Sequence, residues 1–374
     1  MLKKENPVHF ISRIFRQSFK HVLFFYFVRI IILQGLFLFF VVAQYVFAEI
    51  KWNPGHYVLE TPNTGEDWMI ISNNSYFKGL KIGVLWRMVE PEKNQFNWEK
   101  IDSHLKQVKA MKKHLMVYFL DRVFRDQDPV PVPDYILKGK EYNGGVVKHG
   151  SINTGQGMVA RLWDPVVMKE LNRVICAMGE RYDRDPNFEA VFFDETALNI
   201  DMNPHKSGGY TDDNYIKCLI ERLNSAKKAF PNTMVFQHIN YFPCVVDALY
   251  KYYTDPSTAN GVGFGGSDLV PDLGRTKKTR NYSYQYFPKS SGLIPLAMDV
   301  QTPNFTRQKG NFSSSLNLFF DMGIDTLKLN YIIWSMPNKN WKMYDWDWDR
   351  DIFPYVSSRK GYTHTNFPAM IIKK

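Results

Sequence analysis

Beyond residue 49 the chain alternates short apolar runs with longer amphipathic stretches, a pattern that restricts it to very few folds. Apolar runs bounded by Gly, Pro and Asn read as buried strands, and stretches with apolar residues every three or four positions read as helices that cover them. Strands are expected at 56–60, 80–88, 115–120, 188–193, 233–238, 261–265, 293–300 and 326–333. Helices are expected at 101–113, where Ile101, Leu105 and Val108 share a face, and at 166–181, 212–230, 245–253 and 313–322. Parallel strands need crossovers, and right-handed crossovers wrap the helices around the outside of a closed sheet. The pattern therefore predicts an α/β fold, a single-domain (β/α)8 TIM barrel over residues 49–374, with a site at the strand C-termini. Two connections leave that face without obvious structure of their own, 121–164 and 266–292. Both are expected to form lids or binding walls.

A barrel of roughly 250 residues leaves room in a chain of 374 for insertions and a targeting segment. Hydrophobic residues make up 45% and aromatics 16%, which excludes a disordered chain. Aromatic rings stack on sugar faces as well as they fill cores, so the surplus is compatible with a carbohydrate ligand. Formal charge is +10, and half of it lies in the first 48 residues, where Lys3, Lys4, Arg13, Arg16, Lys20 and Arg29 outnumber Glu5. The balance left to the barrel is too mild and too scattered for a nucleic-acid partner. Cys176, Cys218 and Cys244 have neither metal nor redox spacing and are assigned no chemistry.

Residues 22–48 are apolar except for Arg29, Gln34, Gly35 and Gln44. The charge-free part from Ile30 onward approaches the ~20 residues that span a bilayer. It ends in Val46-Phe47-Ala48, which fits the small residues of a signal cleavage site. Residues 1–48 are thus expected to be a signal peptide or an uncleaved membrane anchor, and basic residues ahead of the span would hold that side in the cytoplasm. Either reading delivers the barrel outside the cytoplasm: periplasmic, secreted or membrane-anchored.

Three stretches carry candidate chemistry. Residues 79–102 read GLKIGVLWRMVEPEKNQFNWEKID, a strand ending in Trp86 and Arg87, then Glu90-Pro91, a turn at Asn94, and Phe96 and Trp98 ahead of a helix. Residues 181–198 read RYDRDPNFEAVFFDETAL, a helix end, a turn and a strand that closes on Asp194-Glu195. The eighth strand closes on Trp334 in NYIIWS. Together these stretches resemble the glycoside hydrolase barrels whose catalytic carboxylates follow strands four and seven. The resemblance implies cleavage of glycosidic bonds in a poly- or oligosaccharide, a general acid at Glu195, and a tryptophan, Trp334, flooring the sugar site. Trp98 is expected to pack rather than catalyse.

The residues support Glu195 independently. A carboxyl that follows Val191-Phe192-Phe193 is partly desolvated, which raises its pKa and keeps it protonated for donation. Asp194 is expected to point to the other side of the strand, where it orients Glu195 or binds substrate. Glycoside hydrolysis needs a second carboxylate, about 5 to 5.5 Å away for retention or about 6.5 to 9.5 Å for inversion. The seventh strand reads LIPLAMDVQTPN, with Asp299 and Gln301 where the resembling barrels carry Glu. Period-two geometry puts both on one face, so Asp299 is expected to be the second catalytic residue with Gln301 above it at the rim. Asp268 and Asp121 are substitutes.

Gln237, His238 and Asn240 on the fifth strand, with Arg87, are expected to bind sugar hydroxyls. No metal-ligand spacing and no Gly-rich phosphate loop is present, so neither metal nor cofactor is expected. The expected protein is an exported, monomeric glycoside hydrolase. Its alternative is a non-catalytic glycan-binding barrel, motivated by the absent Glu on strand seven. The tail, in which Trp341, Tyr344, Trp346 and Trp348 alternate with Asp345, Asp347 and Asp349, either lines the cleft or packs.

Overall fold

All eight apolar runs become parallel strands, because each is buried on both faces and needs a crossover to reach the next. They are β1 (Gly55–Leu59), β2 (Phe77–Leu85), β3 (His114–Leu120), β4 (Phe188–Phe193), β5 (Met234–His238), β6 (Gly263–Gly265), β7 (Ala297–Val300) and β8 (Tyr331–Ser335). The order across the sheet is β6-β5-β4-β3-β2-β1-β8-β7. Between β6 and β7 the amide of Phe264 donates to Pro295 O at 2.9 Å, and Phe264 bridges Leu296 in parallel. This contact brings the two end strands together and nearly closes the sheet into a barrel.

The computed structural model that shows this describes residues 28–32, 34, 50–60, 66–150, 157–201, 203, 206–271, 281–301, 304, 312–335 and 348–371. The chain divides into two units, Met1–Glu49 with Lys374 and Ile50–Lys373. Residues 28–32 and 34 are helical, and the rest of the expected targeting segment lies outside the described residues. No helix among the described residues is long and apolar enough to cross a membrane.

Alternation along the strands builds two cores. Tyr57, Met116, Ala190, Phe192, Met234, Phe236, Ala297, Tyr331 and Ile333 fill the barrel interior. Their neighbours one position away, such as Val58, Leu80, Ile82, Val117, Val191, Val235 and Ile332, face outward and pack under the helices. A β-bulge beside Leu115 shifts the register of β4, where Glu189 is the extra residue. Its buried carboxylate accepts hydrogen bonds from Asn53 N, Asn53 Nδ2 and Tyr331 OH, each at 2.8 Å, across the N-terminal end of the barrel.

Helix starts follow local chemistry. Asp164 caps Pro165–Tyr182 by accepting from Val166 N at 2.9 Å, with Pro165 at the first helical position. Thr211 caps Asp212–Ala229 in the same way, accepting from Asn214 N at 3.2 Å. The connection 121–164 is a built subdomain rather than a bare lid. It carries a helix Asp134–Lys138, a turn Lys140–Tyr142 and an antiparallel hairpin of Val146–His149 and Gly157–Ala160. That hairpin is pinned to the barrel by Ala160 N donating to Asp121 O at 2.9 Å. The connection 266–292 holds Tyr282–Gln285 and Phe287–Ser290, with 272–280 outside the described residues. The eighth strand starts later than its composition suggests, because the preceding helix widens into Asp321–Thr326 and Lys328 then takes φ 59.

The second strand ends early for a definite reason. Glu90 is fully buried and accepts from Trp86 Nε1 at 3.3 Å, Asn94 N at 2.7 Å, Tyr135 OH at 2.8 Å and Arg173 Nη2 at 2.5 Å. One carboxylate therefore bends the chain after β2 and ties the turn at Asn94, φ 64, to the β3 connection and to the helix Pro165–Tyr182. Phe96 and Trp98 stack at 5.1 Å, and Trp98 meets Tyr182 edge-on at 5.7 Å, so both rings pack. Replacing Glu90 by Ala strands these donors in the interior and is expected to lower unfolding free energy by about 3 kcal/mol or more, read from urea denaturation.

Candidate active site

Glu195 lies just past the C-terminal end of β4, partly exposed at the barrel mouth. Asn240, which follows β5, donates Nδ2 to Glu195 Oε2 at 2.6 Å. Its carbonyl accepts from Ala197 N at 2.8 Å and Thr196 Oγ1 at 3.2 Å, so Asn240 fixes both the carboxyl and the backbone that carries it. Ser267, after β6, acts on the same carboxyl and favours its charged form. Burial, followed by the charge of Asp194, lifts the Glu195 pKa to about 7 against the opposing effect of the Ser267 hydrogen bond. A pKa raised above its unfolded value means the folded chain holds the extra proton between roughly pH 4.5 and 7. Glu195 therefore subtracts stability as pH rises through that window.

Behind Glu195 a polar chain crosses the barrel. His238 on β5 is fully buried, with Nδ1 at 2.9 Å from Ser267 Oγ and Nε2 at 3.3 Å from Lys81 Nζ. Lys81 on β2 is also fully buried, and both oxygens of Asp299 on β7 accept from its ammonium at 2.8 and 2.9 Å. The ammonium rests over the faces of Phe192 at 4.0 Å and Tyr118 at 4.5 Å. Burial pushes the Asp299 carboxyl up and the Lys81 amine down, each effect opposed by the charge of the other. Burial, with Lys81 second, holds His238 far below its ordinary pKa, so the ring is neutral. An ammonium only donates, so His238 Nε2 accepts and Nδ1 carries the proton. Donors then run in one direction, from Lys81 through His238 to Ser267.

A second buried array flanks the first. Asp194 accepts from Tyr118 OH at 2.6 Å and from Glu195 N at 2.7 Å, and its other oxygen lies 3.8 Å from Arg122 Nε. Burial raises the Asp194 pKa while Arg122 works against it. Asp121 bridges Arg122 Nε at 3.2 Å and Arg222 Nη1 at 2.7 Å, and Arg222 Nη2 reaches Gln237 Oε1 at 2.5 Å. Among the described residues, Asp194 Oδ2 and Arg122 Nη2 are buried without a hydrogen-bond partner. Buried polar atoms of this kind call for a water or a ligand group.

The structure gathers Glu195, Asp194, His238 and Asn240 from the sequence-predicted set. Asp299 does face inward, as period two requires, but it is 1% exposed and both its oxygens are held by Lys81. Gln301 stands partly exposed after β7, its backbone N–H donating to Asn304 Oδ1 at 2.6 Å. Gln237 is buried between Arg222 and the backbone oxygens of Asp194 and His238, a structural position rather than a hydroxyl-binding one.

Arg87 spends its guanidinium on Val130 O at 3.0 Å and Asp134 Oδ1 at 2.8 Å, and so secures the β3 connection. Trp334 has no exposed surface. It faces outward from β8, donates Nε1 to His56 Nδ1 at 2.9 Å and packs on Phe320 at 5.7 Å, so it does not floor a sugar site. In the tail, Trp341, Tyr344 and Trp346 lie outside the described residues, whereas Trp348 packs on Phe77 at 5.4 Å. Cys176 and Cys244 are exposed free thiols and Cys218 a buried one. No three His, Cys, Asp or Glu among the described residues are grouped to hold a metal.

Lys81, Tyr118, Ser267, Arg122 and Arg222 were missed by sequence reasoning. Lys81 had a signal: in FKGLKIGVL it stands in phase with Gly79 and Gly83, so a charge falls on an inward position of an apolar strand. Such a residue demands a buried partner. Arg222, on the buried face of an amphipathic helix, gave the same kind of warning.

No family model matches the chain. No curated protein matches it. Its structural neighbours are glycoside hydrolases. The catalytic domain of β-amylase from Paenibacillus polymyxa is similar at 11% identity and TM-score 0.49, over 76% of this chain and 92% of that one. Native xylanase 10B from Thermotoga maritima is similar at 13% identity and TM-score 0.48, over 83% of this chain and 88% of that one. A psychrophilic glycoside hydrolase family 10 endo-β-1,4-xylanase is similar at 13% identity and TM-score 0.45, over 76% and 86%. The barrel itself rests on the strand pairing of this chain.

Replacing Asp299 by Asn leaves Lys81 charged and uncompensated in the interior, with an expected loss of about 3 to 5 kcal/mol in unfolding free energy. The double replacement Lys81→Met with Asp299→Asn is expected to recover much of that loss in a double-mutant cycle. Additive losses would sink the pairing.

Proposed function

We propose that the chain is an O-glycosyl hydrolase acting on a poly- or oligosaccharide, with Glu195 as general acid. The supporting observation is a carboxyl at the barrel mouth, raised to about 7 by burial and the charge of Asp194 and fixed by Asn240. A group with that pKa carries a proton for much of the time at neutral pH, which is what donation to a leaving glycosidic oxygen requires. Asp194 Oδ2 and Arg122 Nη2 supply polar atoms in want of a partner beside it.

Hydrolysis also requires a group to activate water or attack the sugar. Asp299, the residue the sequence offers, is closed in an ion pair with Lys81, and attack from it requires that pair to open. Asp268, one residue beyond Ser267, is partly exposed, is held by Asn304 Nδ2 at 2.6 Å, and exerts its charge on both Glu195 and Asp299. In this reading Asp268 is the base and Asp299 maintains Lys81. The closed pair on β7 is also the observation that favours the second reading, a barrel that binds glycans without cleaving them.

The same proposal places the protein outside the cytoplasm as a monomer. The support for export is the apolar run 22–48 behind basic residues, serving as signal peptide or anchor.

Glu195→Gln is expected to lower turnover by about 10²- to 10⁴-fold while leaving glycan binding in place. The rate of the unaltered enzyme should fall as pH rises past about 7, because the acid must be protonated. Reducing-end release from a panel of polysaccharides measures both, and saturable glycan binding with no release would establish the second reading instead. Asp268→Asn is expected to reduce turnover at least about 100-fold with unchanged folding stability. An Asp299→Asn protein that stays folded yet loses turnover, beside an active Asp268→Asn, would return the second carboxylate to Asp299.

A further inference from the structure

At the opposite end of the barrel, a cavity of about 430 Å³ is lined by Trp52, Asn53, Pro54, Ser75, Lys78, Lys112, Lys113, His114 and Thr365. No carboxylate lines it, and four of its nine residues are basic side chains. Lys113 donates to Asn74 O at 3.0 Å and Phe77 O at 2.7 Å, which leaves one of its three N–H bonds for a ligand. Lys78 and Lys112 are exposed and make no ion pair among the described residues. The stem of Lys78 lies over Gly55, where a Cβ would come within 2.8 Å of Lys78 Cγ, so the glycine leaves room for the lysine.

His114 adds a buried Nδ1 with no hydrogen-bond partner among the described residues. Glu189 is the one carboxylate whose charge acts on His114, and its oxygens are committed to Asn53 and Tyr331. The positive charges of Lys78 and Lys113 act on His114, and that of Lys78 acts on Lys113. The cavity thus concentrates like charge without compensation, and a bound anion would relieve that repulsion.

We propose that this cavity is a binding site for a phosphate-class oxyanion, with Lys78, Lys112 and Lys113 as its donors. The volume admits more than the ion alone, so the phosphate enters either free or as part of a larger group such as a lipid headgroup. The site is independent of the glycosidase reading.

The test titrates the full chain with inorganic phosphate by calorimetry at constant ionic strength held by sodium chloride, and sediments it with phosphatidylglycerol or phosphatidylcholine vesicles. Saturable phosphate binding, or phosphate-reversible retention on phosphatidylglycerol alone, is expected; the first outcome assigns a soluble phosphate and the second a headgroup. The exposed pair Lys78→Gln with Lys112→Gln should weaken binding by about tenfold or more, whereas Lys148→Gln, on the hairpin, should not. Circular dichroism verifies that the variants remain folded. Absence of binding in both arms up to about 20 mM phosphate, or binding that the double replacement leaves unchanged, overturns the proposal.

Discussion

An ammonium held inside the barrel is the constraint from which the rest follows. Taking Lys81 out of water costs several kcal/mol, and nothing in an ordinary apolar interior returns it. Here Asp299 meets it with two hydrogen bonds, and Tyr118 and Phe192 turn their ring faces toward it. In the sheet, β2 and β7 are separated by β1 and β8, so the pair acts as a crossbar between strands that do not touch. Gly265 belongs to the same arrangement, since a Cβ there would come within 2.7 Å of the His238 ring.

The charge of Lys81 also dictates what lies above it. By donating to His238 it settles the tautomer, and His238 then donates to Ser267, whose hydroxyl favours the charged form of Glu195. Two opposed influences therefore meet on one carboxyl. Burial and Asp194 favour the acid, while the donors Ser267 and Asn240 favour the carboxylate, and the balance falls near neutrality. On the other flank Asp121 sits between Arg122 and Arg222, alternating acid with base so that each buried charge has a neighbour of opposite sign.

The strands were legible because a closed parallel sheet leaves its signature in every turn of the chain. Phe188–Phe193 could be read to the residue, since FEAVFF is apolar apart from Glu189 and ends at two acids. Facing was legible too wherever period two holds: Asp299 does point inward, and the same rule applied to Tyr331, Ile332, Ile333 and Trp334 would have placed the tryptophan outside. Partners were not legible. Nothing in the local sequence around Asp299 announces that a lysine more than two hundred residues earlier will occupy both its oxygens. Arg87 and Gln237 are the same lesson, because Asp134 and Arg222 reach them through tertiary packing rather than through sequence proximity. The β3 connection escaped for a different reason: its hairpin strands are only four residues each, below the length at which alternation shows.

The bulge at Glu189 gives the barrel the character of a cup rather than a tube. Its carboxylate draws Asn53 and Tyr331 together across the floor. Phe192 stacked on Phe236 at 4.5 Å, with Tyr57 and Met116 around them, fills the bore above it. The filled bore leaves Glu195 facing the mouth alone, so a ligand of the proposed kind would have to enter and leave on that side. In such a vessel the strands act as staves, and the rim they carry alone would set how quickly it empties.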